Sequence, residues 1–185
     1  MKMGINILLT LIVLGMAYYL YSSIQEPIEV TRTYKKRKDA ITARLEQVRD
    51  AQMAYRDKKD NFADNFDSLI YSLKSDSIEK IKIIGNPDDT STVTKYDTTY
   101  QPLWQEAYDQ QFVFDSLRYI PYSGGKEFSI DAGMKKKNKV KVKVFEVTAP
   151  DSIWLKGLKT RYLSNPQSLR MGSMAKGTYS GNWGD

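Results

Sequence analysis

Two groups of side chains have the type and spacing to hold a hard cation. Asp57, Asp60, Asn61, Asp64 and Asp67 form one, and Asp88, Asp89 and Asp97 the other. Calcium and magnesium take oxygen ligands of this kind, but neither group has the central glycine and closing glutamate of a calcium-binding loop. Asp and Asn also build turns and helix caps by bonding to nearby backbone, which is the reading their surroundings favour. Serine is plentiful, yet no G-x-S-x-G elbow and no S-x-x-K motif stands in a catalytic setting. The chain has no histidine and no cysteine. That removes the usual general base, the commonest metal ligands and the Ser-His and Cys nucleophile arrangements together. Gly124-Gly125 opens no helix and so makes no phosphate cradle. The expectation is a non-catalytic protein without cofactor or metal, whose Tyr and Trp rings serve packing more simply than sugar or peptide stacking.

The element that must position everything else is the apolar run 5–24, INILLTLIVLGMAYYLYSSI, which holds no charged residue. About 20 residues at roughly 1.5 Å each cover the ~30 Å hydrocarbon core of a bilayer. Ile5, Leu8, Leu11, Ile12 and Leu14 would face lipid, and Tyr18, Tyr19 and Tyr21 gather at one end, where amphipathic rings prefer the headgroup level. A cleaved signal peptide is the rival reading, with Lys2 as its charged region. No small-x-small cleavage site follows, so a retained signal anchor is expected.

Beyond the run, Pro27 should kink or interrupt the helix, because it lacks an N–H and restricts the residue before it. Val30, Tyr34, Ile41, Leu45, Val48 and Tyr55 then recur at spacings of three, four or seven, one apolar stripe of an amphipathic stalk helix. Its first half should stand clear of the head and its second half pack on it. Arg32, Lys35, Lys36, Arg37 and Lys38 lie just past the span, either against anionic lipid headgroups or as a solvated helix face. After a turn at 56–66, Asp64 or Asn65 caps a second helix with Phe66, Leu69, Ile70 and Leu73 on its buried face, ended by Ser75-Asp76-Ser77.

From residue 78 the period falls to two. Ile81 and Ile83 alternate with Lys80 and Lys82, Gly85-Asn86-Pro87-Asp88 turns the chain, and residues 88–111 form a polar excursion with an edge strand at 92–98 and anchors at Trp104 and Tyr108. Strands are expected at 114–119, 127–131 and 139–147, joined by turns at 121–125 and 133–138 into an antiparallel meander. In the last strand Val140, Val142 and Val144 should face the core and Lys139, Lys141 and Lys143 the solvent. Phe145 and Val147 fall on the other parity, which calls for a bulge or a second covered face. Ile153, Trp154, Leu155 and Leu158 are packing candidates. The tail 172–185 reads as irregular, pinned by Tyr179 and Trp183.

The 41% hydrophobic and 27% charged shares are those of a folded domain, and about 160 residues beyond the anchor suffice for one. The fold class is therefore α+β: leader and transmembrane anchor at 1–27, stalk helix and short second helix at 28–75, and a small antiparallel β-sheet head with its tail at 76–185. The net charge of +6 lies mainly in the juxtamembrane run and in Lys135, Lys136, Lys137, Lys139, Lys141 and Lys143. No nucleic-acid signature accompanies it, and nucleic acid is not an expected partner.

An apolar N-terminal helix after a short basic leader, a nearby proline, an amphipathic helix and a small antiparallel sheet resemble the type IV pilins and type II secretion pseudopilins. The local match is 43–73, ARLEQVRDAQMAYRDKKDNFADNFDSLIYSL. It is similar to the pseudopilin run in which a helix ends in Tyr, passes a polar Gly-x-Tyr turn and enters a short helix. Tyr55 stands for the first Tyr, Asp60 replaces the Gly and Phe62 the second Tyr. Gly4 before Ile5 is similar to the prepilin peptidase site, but Leu9 stands where pilins carry a buried Glu. The resemblance implies a pilin-like fold and a structural subunit of a bacterial envelope assembly, a secretion or surface-filament apparatus. Its partners would be membrane lipids and other proteins, itself included, through the stalk stripe of Ile41, Leu45, Val48 and Tyr55. The alternative is a monomeric bitopic protein whose head binds a protein or polysaccharide. The five basic residues after the span favour a cytoplasmic head by the positive-inside rule. The signal-anchor leader and the Tyr-, Thr- and Asn-rich sheet favour the inner membrane with a periplasmic head, which is the expectation adopted.

Overall fold

The computed structural model describes residues 2–84, 95–137 and 140–183 of the 185-residue chain. It is α+β, with a long N-terminal helix followed by small antiparallel sheets. The helix α1 (Lys2–Lys59) has 58 residues, about 87 Å at 1.5 Å per residue. Pro27 lies inside it rather than at a break, which corrects the expected interruption. A proline within a helix costs about 3 kcal/mol. The head holds α1 on both sides of Pro27, at Glu26 before it and at Tyr34 and Arg37 after it, and those contacts offset the lost backbone bond.

The stripe resumes as read. Ile41, Leu45, Val48 and Ala51 are wholly buried, and α1 ends where Asp60 turns into the left-handed region at φ 54°. The helix α2 (Phe66–Ser75) follows, capped by Asn65, whose side chain accepts from the Ser68 N–H at 2.7 Å. Phe66, Leu69, Ile70 and Leu73 are its buried face. β1 (Ser77–Ile84) and β2 (Lys95–Pro102) pair antiparallel, from Ser77 opposite Pro102 to Ile84 opposite Lys95. The expected turn at 85–88 and the start of the edge strand at 92 lie outside the described residues. A short helix α3 (Trp104–Ala107) continues from β2.

The strand expected at 114–119 is a 3₁₀ helix, Phe114–Arg118. Phe114, Leu117 and Ile120 are all buried, and a spacing of three puts side chains on one side of a 3₁₀ turn. Only Tyr119 reaches across to Glu127 as an isolated bridge.

β3 (Ser129–Lys137), β4 (Val140–Ala149), β5 (Leu169–Ser173) and β6 (Thr178–Gly181) form an antiparallel meander in chain order. The stretch from Gly133 to Lys137, expected as a turn, belongs to β3. Gly133 suits a strand here because a Cβ on it would lie 3.0 Å from Met174 Cε, the close approach that glycine within a strand permits. Residues 138 and 139 lie outside the described residues.

In β4 the core face is Phe145, Val147 and Ala149, the parity of the lysines rather than of the valines. Val140 is exposed and only Val144 of the valine set is buried. The register with β3 runs unbroken from Ser129 opposite Thr148 to Lys137 opposite Val140, so there is no bulge, and Val144 supplies the second covered face. The tail is also more regular than expected, since it completes β5 and forms β6. Gly172, at φ 74°, has the Phe145 carbonyl 2.3 Å from where a Cβ would stand, which excludes any side chain. Tyr179 stacks on Phe145, with ring centroids 5.8 Å apart and 7° between planes.

Candidate functional site

The anchor residues Ile5, Leu8, Leu11, Ile12, Leu14, Tyr18, Tyr19 and Tyr21 are each at least 45% exposed, on every side of the helix. A helix apolar all round needs lipid or protein around it. By length and composition this one can cross a membrane.

Immediately beyond it the head takes hold. Glu26, Val30, Tyr34, Arg37 and Ile41 follow at helical spacings on the side of α1 that faces the head, and all but wholly buried Ile41 are half-buried. The helix α4 (Asp151–Trp154) ends against this face. Arg37 Nη1 donates to the carbonyls of Trp154 at 2.9 Å and Lys156 at 3.0 Å, a cation on carbonyls at a helix end. The Tyr34 and Trp154 rings lie 5.2 Å apart, and burial pushes the Tyr34 phenol above its ordinary range.

The chain after α4 then runs along the stalk toward the anchor. The Glu26 carboxylate accepts from Lys159 and from the Tyr162 hydroxyl at 2.9 Å, with Arg161 Nη2 at 3.5 Å. The Lys159 and Tyr162 hydrogen bonds hold that carboxyl below its ordinary range. The first half of the stalk therefore does not stand clear of the head: the head reaches Glu26, two positions past the apolar run.

Two of the basic residues expected to face lipid are engaged by the head, which corrects that part of the reading. Arg37 holds α4, and Lys36 Nζ lies 5.7 Å from the centre of the Tyr122 ring, a cation over an aromatic face. Arg32 and Lys35 are exposed and Lys38 is half-buried.

Ile41, Leu45, Val48, Phe66, Leu69 and Leu73 are buried together, with Tyr55 packed at the edge of the same core. The stripe is thus covered by the protein's own head.

Polar contacts deeper in the head were not anticipated. Gln52 is wholly buried among these apolar residues. Its position on the apolar stripe, one residue after Ala51, is the signal that could have marked it. Arg44 donates to the carbonyl of Ser116 and, at 2.8 Å, to its hydroxyl, while burial draws its guanidinium below the ordinary range. Tyr108 donates to the Gln47 carbonyl at 2.6 Å.

The first acidic group is taken up in pairs and caps. Asp57 pairs with Arg56, Asp60 with Lys143 and Asp67 with Arg118, while Asp64 accepts from Asn65. Asp88 and Asp89 lie outside the described residues. Among the described residues no three His, Cys, Asp or Glu side chains gather as a metal site. An open hollow is lined by Gln47 and residues 105–112, Glu106 and Asp109 among them, and Glu106 is paired with Lys80 at 3.1 Å.

No family model matches the chain. No curated protein and no solved structure matches it either. What can be said of function therefore comes from the chain's own geometry, centred on the junction where the head grips α1 beside its bare apolar segment.

Proposed function

We propose that this is a non-catalytic, single-pass membrane protein of pseudopilin-like plan, a structural subunit of a bacterial envelope assembly, with its head on the periplasmic side of the inner membrane. The observation that carries the reading is the division of α1. One continuous helix is bare and apolar on all sides through residue 24, then supplies Ile41, Leu45, Val48 and Ala51 to the core of an antiparallel-sheet head. A bare apolar helix carried rigidly by a head suits lateral packing of anchors within a bilayer, where van der Waals contact between helices drives association.

The chain has no cysteine, so single cysteines report cleanly. Cysteines placed singly at Ile5, Leu8, Leu11, Ile12 and Leu14 should give homotypic disulfide adducts in native membranes on one helical face. A C-terminal tag should be digested by protease in intact spheroplasts. A tag protected until permeabilisation would overturn the periplasmic placement.

The buried stripe of Ile41, Leu45 and Val48 favours a second reading, a monomeric bitopic protein whose head binds a protein or polysaccharide. Absence of adducts at all five anchor positions would support it over the assembly subunit.

A further inference from the structure

We infer that the segment after α4, together with the outer face of the stalk base, forms a basic collar that binds the phosphate headgroups of anionic phospholipids. The inference rests on the reading that the apolar run spans a bilayer. Glu26 fixes the height of the collar. It stands two residues past Ile24, about 3 Å along the helix axis, and the headgroup layer extends roughly 5–8 Å beyond the hydrocarbon core on each side. Side chains that touch Glu26 are therefore at headgroup level.

Those side chains are Lys159, Arg161 and Tyr162, and Lys156, exposed, belongs to the same segment. Tyr162 is the kind of amphipathic ring that settles at that depth. On the other side of α1, Arg32 and Lys35 are exposed, about 12 and 17 Å past Ile24 along the axis, so their charges act on the headgroups from just outside that layer, within a screening length of about 8–10 Å.

The five cations Arg32, Lys35, Lys156, Lys159 and Arg161 surround the stalk base, opposed by the carboxylates of Glu26 and Glu29. Glu26 neutralises part of the charge on Lys159 and Arg161. Arg32, Lys35 and Lys156 form no ion pair among the described residues, so their charge is directed outward. Basic residues beside a bilayer are attracted to anionic lipids, and continuity with the span puts those lipids, rather than an acidic protein, against the collar. Arg37 fixes the segment in place by bonding the carbonyls of Trp154 and Lys156. The head is thereby seated on the membrane instead of swinging above it.

The test uses the full chain carrying Thr160→Cys, labelled with bimane. It is reconstituted in phosphatidylcholine vesicles with and without about one-quarter phosphatidylglycerol, each containing a trace of headgroup-nitroxide lipid as quencher. The expected result is quenching about twofold stronger with phosphatidylglycerol, lost in ~0.5 M salt, where the screening length falls to about 4 Å. R32Q/K35Q/K156Q, which leaves the Glu26 contacts intact, should remove the difference. K135Q/K136Q/K141Q, which deletes equal charge from the β3–β4 hairpin, should retain it. Equal quenching in both lipid mixtures overturns the collar, as does equal loss in both triple variants. Release of the unmutated chain from both vesicle types by alkaline carbonate overturns the spanning reading itself, so the two failures are told apart.

Discussion

Gln52 and Ala63 exchange two hydrogen bonds across the end of α1: Gln52 Nε2 donates to the Ala63 carbonyl at 2.8 Å, and Gln52 Oε1 accepts from the Ala63 N–H at 2.9 Å. Both residues are buried, so one side chain satisfies the backbone of the loop that reverses the chain into α2. Gln52→Leu should cost about 2–4 kcal/mol, because it strands a buried N–H and a buried C=O. Urea unfolding of the full chain in detergent checks this. A loss below that of an ordinary exposed substitution would show that the loop draws its order from elsewhere.

The Glu26 contacts should loosen in acid. Their hydrogen bonds from Lys159 and Tyr162 lower this carboxyl from its ordinary value near 4.5. A lowered folded value means that the stabilisation is present above that ordinary value and lost as pH falls through the folded one. Hydrogen exchange of residues 156–163, corrected for intrinsic rates, should therefore quicken only below about pH 4.5. In Glu26→Gln it should be fast already at neutral pH and show no such step.

At the other end of the scale, burial foremost and then the nearby Asp50 carboxylate raise the Tyr108 phenol above its ordinary value of 10. The unfolded chain releases this proton near pH 10 while the folded chain keeps it, so stability must fall as pH rises beyond 10. Tyr108→Phe should cost about 0.5–1.5 kcal/mol at neutral pH for the bond to Gln47. It should also flatten the alkaline decline in melting temperature. An unchanged alkaline slope would mean that another group carries it.

Asp60 takes a left-handed conformation directly after α1, and its N–H bonds the Arg56 carbonyl at 2.7 Å. Glycine adopts that conformation at little cost. The partner lost on substitution is Lys143, bound to a carboxylate 96% exposed, and such pairs contribute little. Asp60→Gly should therefore be neutral or stabilise by up to about 1 kcal/mol. A denaturation midpoint lowered by more than that would assign the Lys143 contact a larger role.

What the sequence revealed divides along physical lines. Ile41, Leu45 and Val48 were legible because a helix face must repeat at three or four, and α2 because its cap and apolar face agree. The inward face of β4 is hidden from sequence because Lys141 and Lys143 share the parity of Phe145 and Val147, and only the depth of the core decides where that face turns inward. Phe114 and Leu117 stand three apart, the spacing of a 3₁₀ turn rather than of a strand. The bond between Lys159 and Glu26 joins residues 133 positions apart. Nothing local to either one marks it. At Pro27 local propensity pointed to a kink or a break, and α1 runs on through it, held by tertiary contacts on both sides.

On the proposed spanning reading, the continuity of α1 through Pro27 makes the apolar run and the head one lever. The helix runs about 52 Å from Ile24 to Lys59. A change of about 10° in the tilt of the spanning segment, well within the range such helices show, would sweep its far end sideways by roughly 9 Å. Lipid thickness would thereby become a mechanical input to the head, since a thinner bilayer leans the anchor over and carries the β3–β4 hairpin with it.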